Sequence, residues 1–120
     1  MPKRDVTPYL PMTPAMFQVL LALADGDKHG YAVLKEILRR SGGEVRLSPG
    51  TLYGIINRLL SEGMVVESRH RPDPSLDDER RRYYHLTEFG EQVARAEAER
   101  LESMVAQARA KRLLARTEPA

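Results

Sequence analysis

The segment L-S-P-G-T-L-Y-G-I-I-N-R-L-L-S-E-G, residues 47–63, reads as one helix with both ends marked. Ser48 offers a capping hydroxyl, and Pro49 is pre-set for the first helical position. Leu52, Ile55, Ile56, Leu59 and Leu60 fall on one side of that helix, and Gly63 ends it. At about 100° per residue, the opposite side carries Gly50, Gly54, Asn57 and Ser61, flanked by Thr51, Tyr53 and Arg58. Its one carboxylate, Glu62, stands near the edge. A face that meets only solvent normally mixes charges. This face instead carries small and neutral hydrogen-bonding groups, which let another surface come close. Asn57 can address adenine edges, and Ser48, Thr51 and Tyr53 can address phosphates or bases. The free N–H groups at the helix start suit a phosphate. Two plainer roles stand beside these: Gly54 as a residue for tight helix packing, and Tyr53 as an edge residue of the core.

Upstream, Thr13-Pro14 repeats the hydroxyl-then-proline start. Met16, Phe17, Leu20, Leu21, Leu23 and Ala24 follow as the apolar face of a first helix, which Asp25-Gly26-Asp27-Lys28-His29-Gly30 stops. A second helix is expected over about residues 30–40, with Tyr31, Leu34, Ile37 and Leu38 buried and Ser41-Gly42-Gly43 at its end. His29 is placed to end the loop or cap that helix. Val45 and Leu47, around Arg46, read as a very short extended piece. The first dozen residues hold three prolines and read as an arm without regular structure of its own, tied down by Tyr9 and Leu10.

Downstream the period changes. Met64-Val65-Val66-Glu67-Ser68-Arg69 reads as a strand, and residues 71–79, rich in breakers and acids, as a turn. Arg80-Arg81-Arg82-Tyr83-Tyr84-His85-Leu86 reads as a second strand. Alternation sends Tyr84 and Leu86 to one face and Arg81, Tyr83 and His85 to the exposed one. The arginines beside Asp77, Asp78 and Glu79 are open to two readings: a self-neutralised solvated hairpin, or cations that reach phosphate or the minor groove. Thr87 caps a last helix that runs to about Arg112 or beyond, roughly 40 Å. Ala94, Ala98, Leu101, Val105 and Ala108, with Val93 and Met104 beside them, form a seam of about two heptads. The seam either folds back on its own domain or packs against a second subunit, and the length of the helix favours the second. Glu91 and Arg95 form a favourable i,i+4 pair.

Three short helices followed by a two-stranded hairpin is the order of a winged helix-turn-helix. The fold class is therefore mainly α with a small β-hairpin, extended by a long C-terminal helix. The expected organisation is an arm (1–12), a winged helix-turn-helix domain (13–87), a dimerisation helix (88–116) and a frayed tail (117–120).

Composition narrows the function from the other side. The chain has 120 residues, enough for one domain, with 42% hydrophobic and 30% charged residues. It has no cysteine, which excludes disulfides, thiolate zinc sites, iron–sulfur clusters and cysteine nucleophiles. That fits a reducing compartment, and a cytoplasmic location is expected. No apolar run approaches the ~20 residues of a membrane span, and the first residues lead into no secretory h-region. A net charge of +2 is too small to argue for a polyanion by itself, so position must carry that argument. His29, His70 and His85 lack the spacing of metal ligands. Ser48 has no general base in its motif, and no Walker, nucleophile-elbow or dinucleotide signature occurs. No metal, cofactor or enzymatic activity is expected.

The motifs also carry a family likeness. L-S-P-G-T-L-Y (residues 47–53), N-R-L-x-x-E-G (57–63), H-G-Y (29–31) and R-R-Y-Y-x-L-T-x-x-G (81–90) together resemble the PadR family of transcriptional regulators, in that family's order. The likeness covers residues 13–90 closely and the last helix in kind. It implies a dimeric winged-helix repressor of the shorter type, whose single C-terminal helix exchanges contacts with the partner subunit. Carried onto this chain, Ser48, Pro49, Gly50, Thr51, Leu52 and Tyr53 open the recognition helix, and Arg81, Arg82 and Tyr83 belong to the wing. Family members vary where this chain has Gly54, some with a longer side chain, which affects base readout rather than docking. Some members hold planar drugs between tryptophans. This chain has none, so that ligand mode is not supported.

These readings lead to a homodimeric, sequence-specific repressor on an inverted-repeat promoter site. The DNA-contacting set is Ser48, Pro49, Gly50, Thr51, Tyr53, Gly54, Asn57, Arg58, Arg81, Arg82 and Tyr83, with phosphate contacts added by Lys3 and Arg4 of the arm. The dimerisation set is Val93, Ala94, Ala98, Leu101, Met104, Val105 and Ala108. Expected partners are double-stranded promoter DNA, a second copy, and a small-molecule effector of unspecified identity that would act on the spacing of the two recognition helices. The rival is a winged-helix module whose neutral face meets a protein instead.

Overall fold

A computed structural model describes residues 4–68 and 82–115. After a 3-10 turn at Thr7–Tyr9 the elements are α1 (Pro14–Leu23), β1 (Lys28–His29), α2 (Gly30–Arg40), α3 (Pro49–Ser61), β2 (Val65–Ser68), β3 (Tyr83–Leu86) and α4 (Glu88–Ala110). Every α-helix starts on a side-chain cap. Thr13 accepts the N–H of Met16, His29 that of Ala32, Ser48 that of Thr51 and Thr87 that of Gly90. Each cap satisfies a donor that the first helical turn leaves free. At the far end of α3, Gly63 has φ +77°. The N–H groups of Gly63 and Met64 donate to Leu60 and Leu59 carbonyls, closing the helix in a left-handed turn.

The sheet is antiparallel in the order β1-β3-β2, with Lys28 opposite Tyr84, His29 opposite Tyr83, and Val65 opposite Leu86. It has three strands where the sequence pattern gives two, because β1 is too short to show any alternation. That strand overturns the expected exposure of Tyr83. The ring of Tyr83 stands edge-on to the His29 ring, centroids 5.4 Å apart, and the residue is only 4% exposed. His85 stays exposed as expected, while Arg69, Arg80 and Arg81 and the turn at 71–79 lie outside the described residues. Val45 and Leu47 form no strand; both pack partly against the core.

The core is built from Leu20, Ile37, Leu52, Ile56, Leu59, Met64 and Val93, all essentially without solvent contact. Leu52, Ile56 and Leu59 are the deep part of the expected stripe on α3, with Ile55 and Leu60 half-buried beside them. Elsewhere the stripes rotate. On α1 the buried residues are Val19, Leu20, Ala22 and Leu23, while Ala24 is an exposed cap. On α2 they are Gly30, Val33, Glu36 and Ile37, and the expected core residue Tyr31 is 58% exposed. Glu36 is tolerated because Lys28 Nζ lies 3.6 Å from one carboxylate oxygen and Arg40 Nε 3.0 Å from the other. The Arg40 approach is electrostatic rather than a directed hydrogen bond.

The arm is anchored. Tyr9 donates its hydroxyl hydrogen to Glu62 at the end of α3 and accepts from Arg4. The Arg4 guanidinium lies 4.0 Å above the Phe89 ring centroid, so Arg4 is spent on its own protein rather than held out for phosphate. Lys3 lies outside the described residues.

Helix α4 ends at Ala110, short of the expected Arg112, which has φ +63°. At 1.5 Å per residue it measures about 35 Å. Its first half belongs to the domain: Val93 is fully buried there, so this member of the expected dimer seam is core instead. Beyond Arg100 every described residue except Ala108 is exposed. The radius of gyration, 16.4 Å, exceeds the value of a compact chain of this length, about 13.6 Å, because that half projects.

Glu97 sits where α4 meets the arm. It is 2% exposed and takes two hydrogen bonds from Arg100 at 2.7 and 2.8 Å. The Arg100 bonds, with the nearby Met12 backbone adding to them, hold its carboxyl below the usual value despite burial. A lowered folded-state pKa means stability that is complete above the unfolded carboxylate value and lost as pH falls through the folded one. Thermal melts between pH 3 and 7 should therefore show an acid-side loss that E97Q shares only in part. Parallel curves for the two proteins would remove Glu97 from the acid transition.

Candidate nucleic-acid interface

The interface starts from α3. Its inner residues are pinned by the core, and this orients the rest. Ser48, Pro49, Gly50, Thr51, Tyr53, Gly54, Asn57 and Arg58 are all exposed, and they form one continuous surface. At its head, Ser48 Oγ accepts the Thr51 N–H at 3.1 Å and donates to Thr51 Oγ1 at 3.0 Å. That exchange takes up the Thr51 N–H and fixes both hydroxyls beside the N–H of Gly50. Cβ atoms on Gly50 or Gly54 would meet nothing within 4 Å. Neither glycine is there for packing inside the molecule, which disposes of that plainer role for Gly54. Both leave the helix backbone open at that surface.

Tyr53 has two roles. A Cβ on Gly30 would fall 2.5 Å from its hydroxyl oxygen and 2.8 Å from Cζ. The ring therefore lies across the start of α2, where only glycine leaves room, and it keeps 44% exposure. It sets the spacing of α2 and α3 and still presents an edge outward. Sequence reasoning had the H-G-Y motif but no means of pairing Gly30 with Tyr53.

The carboxylates near this face are withdrawn. Glu62 caps the far end of α3 and is held by Tyr9, with Arg4 3.7 Å away. Arg58 has no carboxylate within 4.0 Å among the described residues, so its charge is available. A helix start with the Gly50 N–H, fixed hydroxyls, a carboxamide and an uncommitted guanidinium can engage phosphate oxygens and base edges together.

The wing is described only at its root. Val66 pairs with His85 and Glu67 with Tyr84. Asp27 accepts from Ser68 Oγ on one oxygen and contacts His85 Nδ1 at 2.6 Å on the other, tying both wing strands to the loop after α1. Arg82 is exposed and 3.7 Å from Glu67. It points into solvent at the wing root, whereas Tyr83 is buried and supports the root from inside. Arg81 lies outside the described residues. Within these residues no group of three or more His, Asp or Glu could hold a metal, and no helix is long and apolar enough to cross a membrane.

Of the seam residues, Ala98, Leu101, Met104 and Val105 are exposed and Ala94 and Ala108 half-buried. Beyond Arg100, Leu101, Met104 and Val105 are uncovered apolar residues of α4, and Leu113 and Leu114, past its end, are exposed as well.

Known proteins share this arrangement. A solved transcriptional regulator from Clostridium thermocellum superposes with a TM-score of 0.66 at 23% identity, covering 91% of this chain and 96% of that one. The Bacillus subtilis PadR in complex with operator DNA superposes at 0.58 with 21% identity, covering 72% of this chain and 47% of that one. At these identities the likeness establishes the winged-helix fold. By sequence, the transcriptional regulator Rv3488 of Mycobacterium tuberculosis is 30% identical over 86 residues, 72% of this chain and 74% of that protein. An uncharacterized 37.1 kDa protein in transposon TN4556 of Streptomyces fradiae is 39% identical over 84 residues, 70% of this chain but only 22% of that longer protein. The PadR-like transcriptional regulators match residues 19–96, from the middle of α1 into the Glu97 end of the packed part of α4. The span takes in α3, the wing root and the β1 turn together, and with them this chain belongs to the PadR-like family of transcriptional regulators.

Proposed function

We propose that the protein is a homodimeric repressor that lays α3 of each protomer in successive major grooves of an inverted-repeat promoter site. The observation that carries this reading is the outer face of α3, which is exposed from Ser48 to Arg58 on the residues named above and free of carboxylate. Asn57 and Arg58 address base edges, Tyr53 contributes its ring edge, and Ser48, Thr51 and the helix start hold phosphate. Arg81 and Arg82 of the wing add backbone contacts beside the groove. Two such helices on one face of the duplex are separated by about one helical turn, ~34 Å. The apolar side of α4 beyond Arg100 supplies the contact between protomers. Promoter occupancy is then sufficient for repression, and an effector acts by changing the separation of the two α3 helices.

The first test is a mobility shift with DNA from upstream of the protein's own gene. Retardation at low salt that fades steeply as salt rises is the expected result, and no retardation in dilute buffer would end this reading. Asn57→Ala separates base reading from docking. It should cost about 1–3 kcal/mol on the true site and little on random duplex. Equal losses on both would show that Asn57 reads no base.

A further inference from the structure

Cations in this protein divide into two populations. Arg4, Lys28, Arg40, Arg82, Arg95 and Arg100 each have a carboxylate within 4.0 Å. Before α4, the described cations that have none are Lys35, Arg39, Arg46 and Arg58. All four sit on α2, α3 or the loop between them. On that side Arg40, which faces Glu36 and Asp25, is the exception; elsewhere in the described domain neutralisation is general.

Two of these cations, Lys35 and Arg46, edge a groove of about 330 Å³ lined by Tyr31, Leu34, Lys35, Leu38, Arg46 and Leu47. Tyr31 forms the exposed aromatic wall, with the Lys35 ammonium 5.3 Å from its ring centroid. Leu47 immediately precedes the Ser48 cap, so the groove opens directly onto the start of α3.

We propose that this groove seats the sugar–phosphate strand flanking the base-read site. Lys35 and Arg46 pair with successive phosphates, the Tyr31 hydroxyl donates to a third oxygen, and Leu34, Leu38 and Leu47 meet the apolar edges of deoxyribose. The inference rests on the reading of α3 as the DNA-facing helix, and extends its footprint along α2. Continuity with the α3 start singles out DNA over an acidic amphipathic protein segment, which would suit the same apolar floor. These contacts carry position rather than sequence information.

The experiment is a salt series on the promoter duplex and on a random duplex, using wild type, K35A, R46A and K35A/R46A. Melting curves check that the exposed substitutions leave the fold intact. Each single change should lower affinity for both duplexes by a similar factor and reduce the slope of log K against log salt by about 0.9, the double change by about twice that. Methylphosphonate linkages at the flanking phosphates should erase the difference between wild type and variants. Wild-type slopes in all three variants, on a protein that still binds the promoter, would overturn the proposal and leave the groove to a protein segment. Absence of promoter binding by the wild type would instead remove the underlying reading of α3.

Discussion

Removal of the residues beyond Arg100 is expected to leave a folded monomer that binds its promoter site on the order of 10²–10⁴-fold more weakly than the full chain. The position of the cut follows from burial. A cut after Gly90 would take away Val93 and the buried Glu97, and the domain would lose core along with any dimer contact. A cut after Arg100 keeps both. What it removes of the apolar seam is chiefly Leu101, Met104 and Val105, which are exposed and lie outside the buried core. Two linked half-site contacts act at high effective concentration for each other, so uncoupling them weakens binding without touching α3. Sedimentation reads the oligomeric state, and a melting curve reads the fold. A shortened chain that still sediments as a dimer would show that the seam lies elsewhere.

The second large effect is expected at Gly90, in the first turn of α4. A Cβ there would stand 2.1 Å from the Met64 carbonyl oxygen, 2.9 Å from its carbonyl carbon and 2.7 Å from Leu86 Cδ1. Met64 leads into β2 and its carbonyl accepts the Thr87 N–H. The backbone therefore cannot move aside without breaking the junction of sheet and helix. Alanine would gain at most about 1 kcal/mol of helix propensity over glycine. Overpacking against fixed backbone costs about 3 kcal/mol, so the clash wins. Gly90→Ala should lower the folding equilibrium constant by roughly 30-fold, after the propensity gain is set against the clash. Denaturant titration measures this directly, and a variant as stable as wild type would mean that α4 can slide away from Met64.

The exposed side of α3 is almost fully legible in the sequence. A hydroxyl-proline start and a 3.6-residue apolar period fix which side of α3 is buried, and so which residues remain outside. The caps at Thr13, Ser48 and Thr87 were legible for the same reason: each interaction spans only three residues. What stayed hidden depends on distant partners. A two-residue strand has no period, so β1 was invisible, and with it the burial of Tyr83. The apolar pattern of α2 marks Tyr31 but cannot say that no element covers it. A four-three pattern in α4 does not reveal where its own core ends, which is why Val93 was grouped with the seam. Arg4 looked like a free cation because Tyr9, Glu62 and Phe89 meet it only after the chain has folded back.

That folding back sets a schedule for synthesis. Tyr9 finds Glu62 across a sequence separation of 53 residues. At ribosomal speeds of about 5–20 residues per second, its acceptor is made roughly 3–10 s after it. Phe89 and Glu97 follow later still. The opening segment must therefore wait outside the tunnel with its tyrosine and prolines undocked, and the domain locks only when its final helix has emerged.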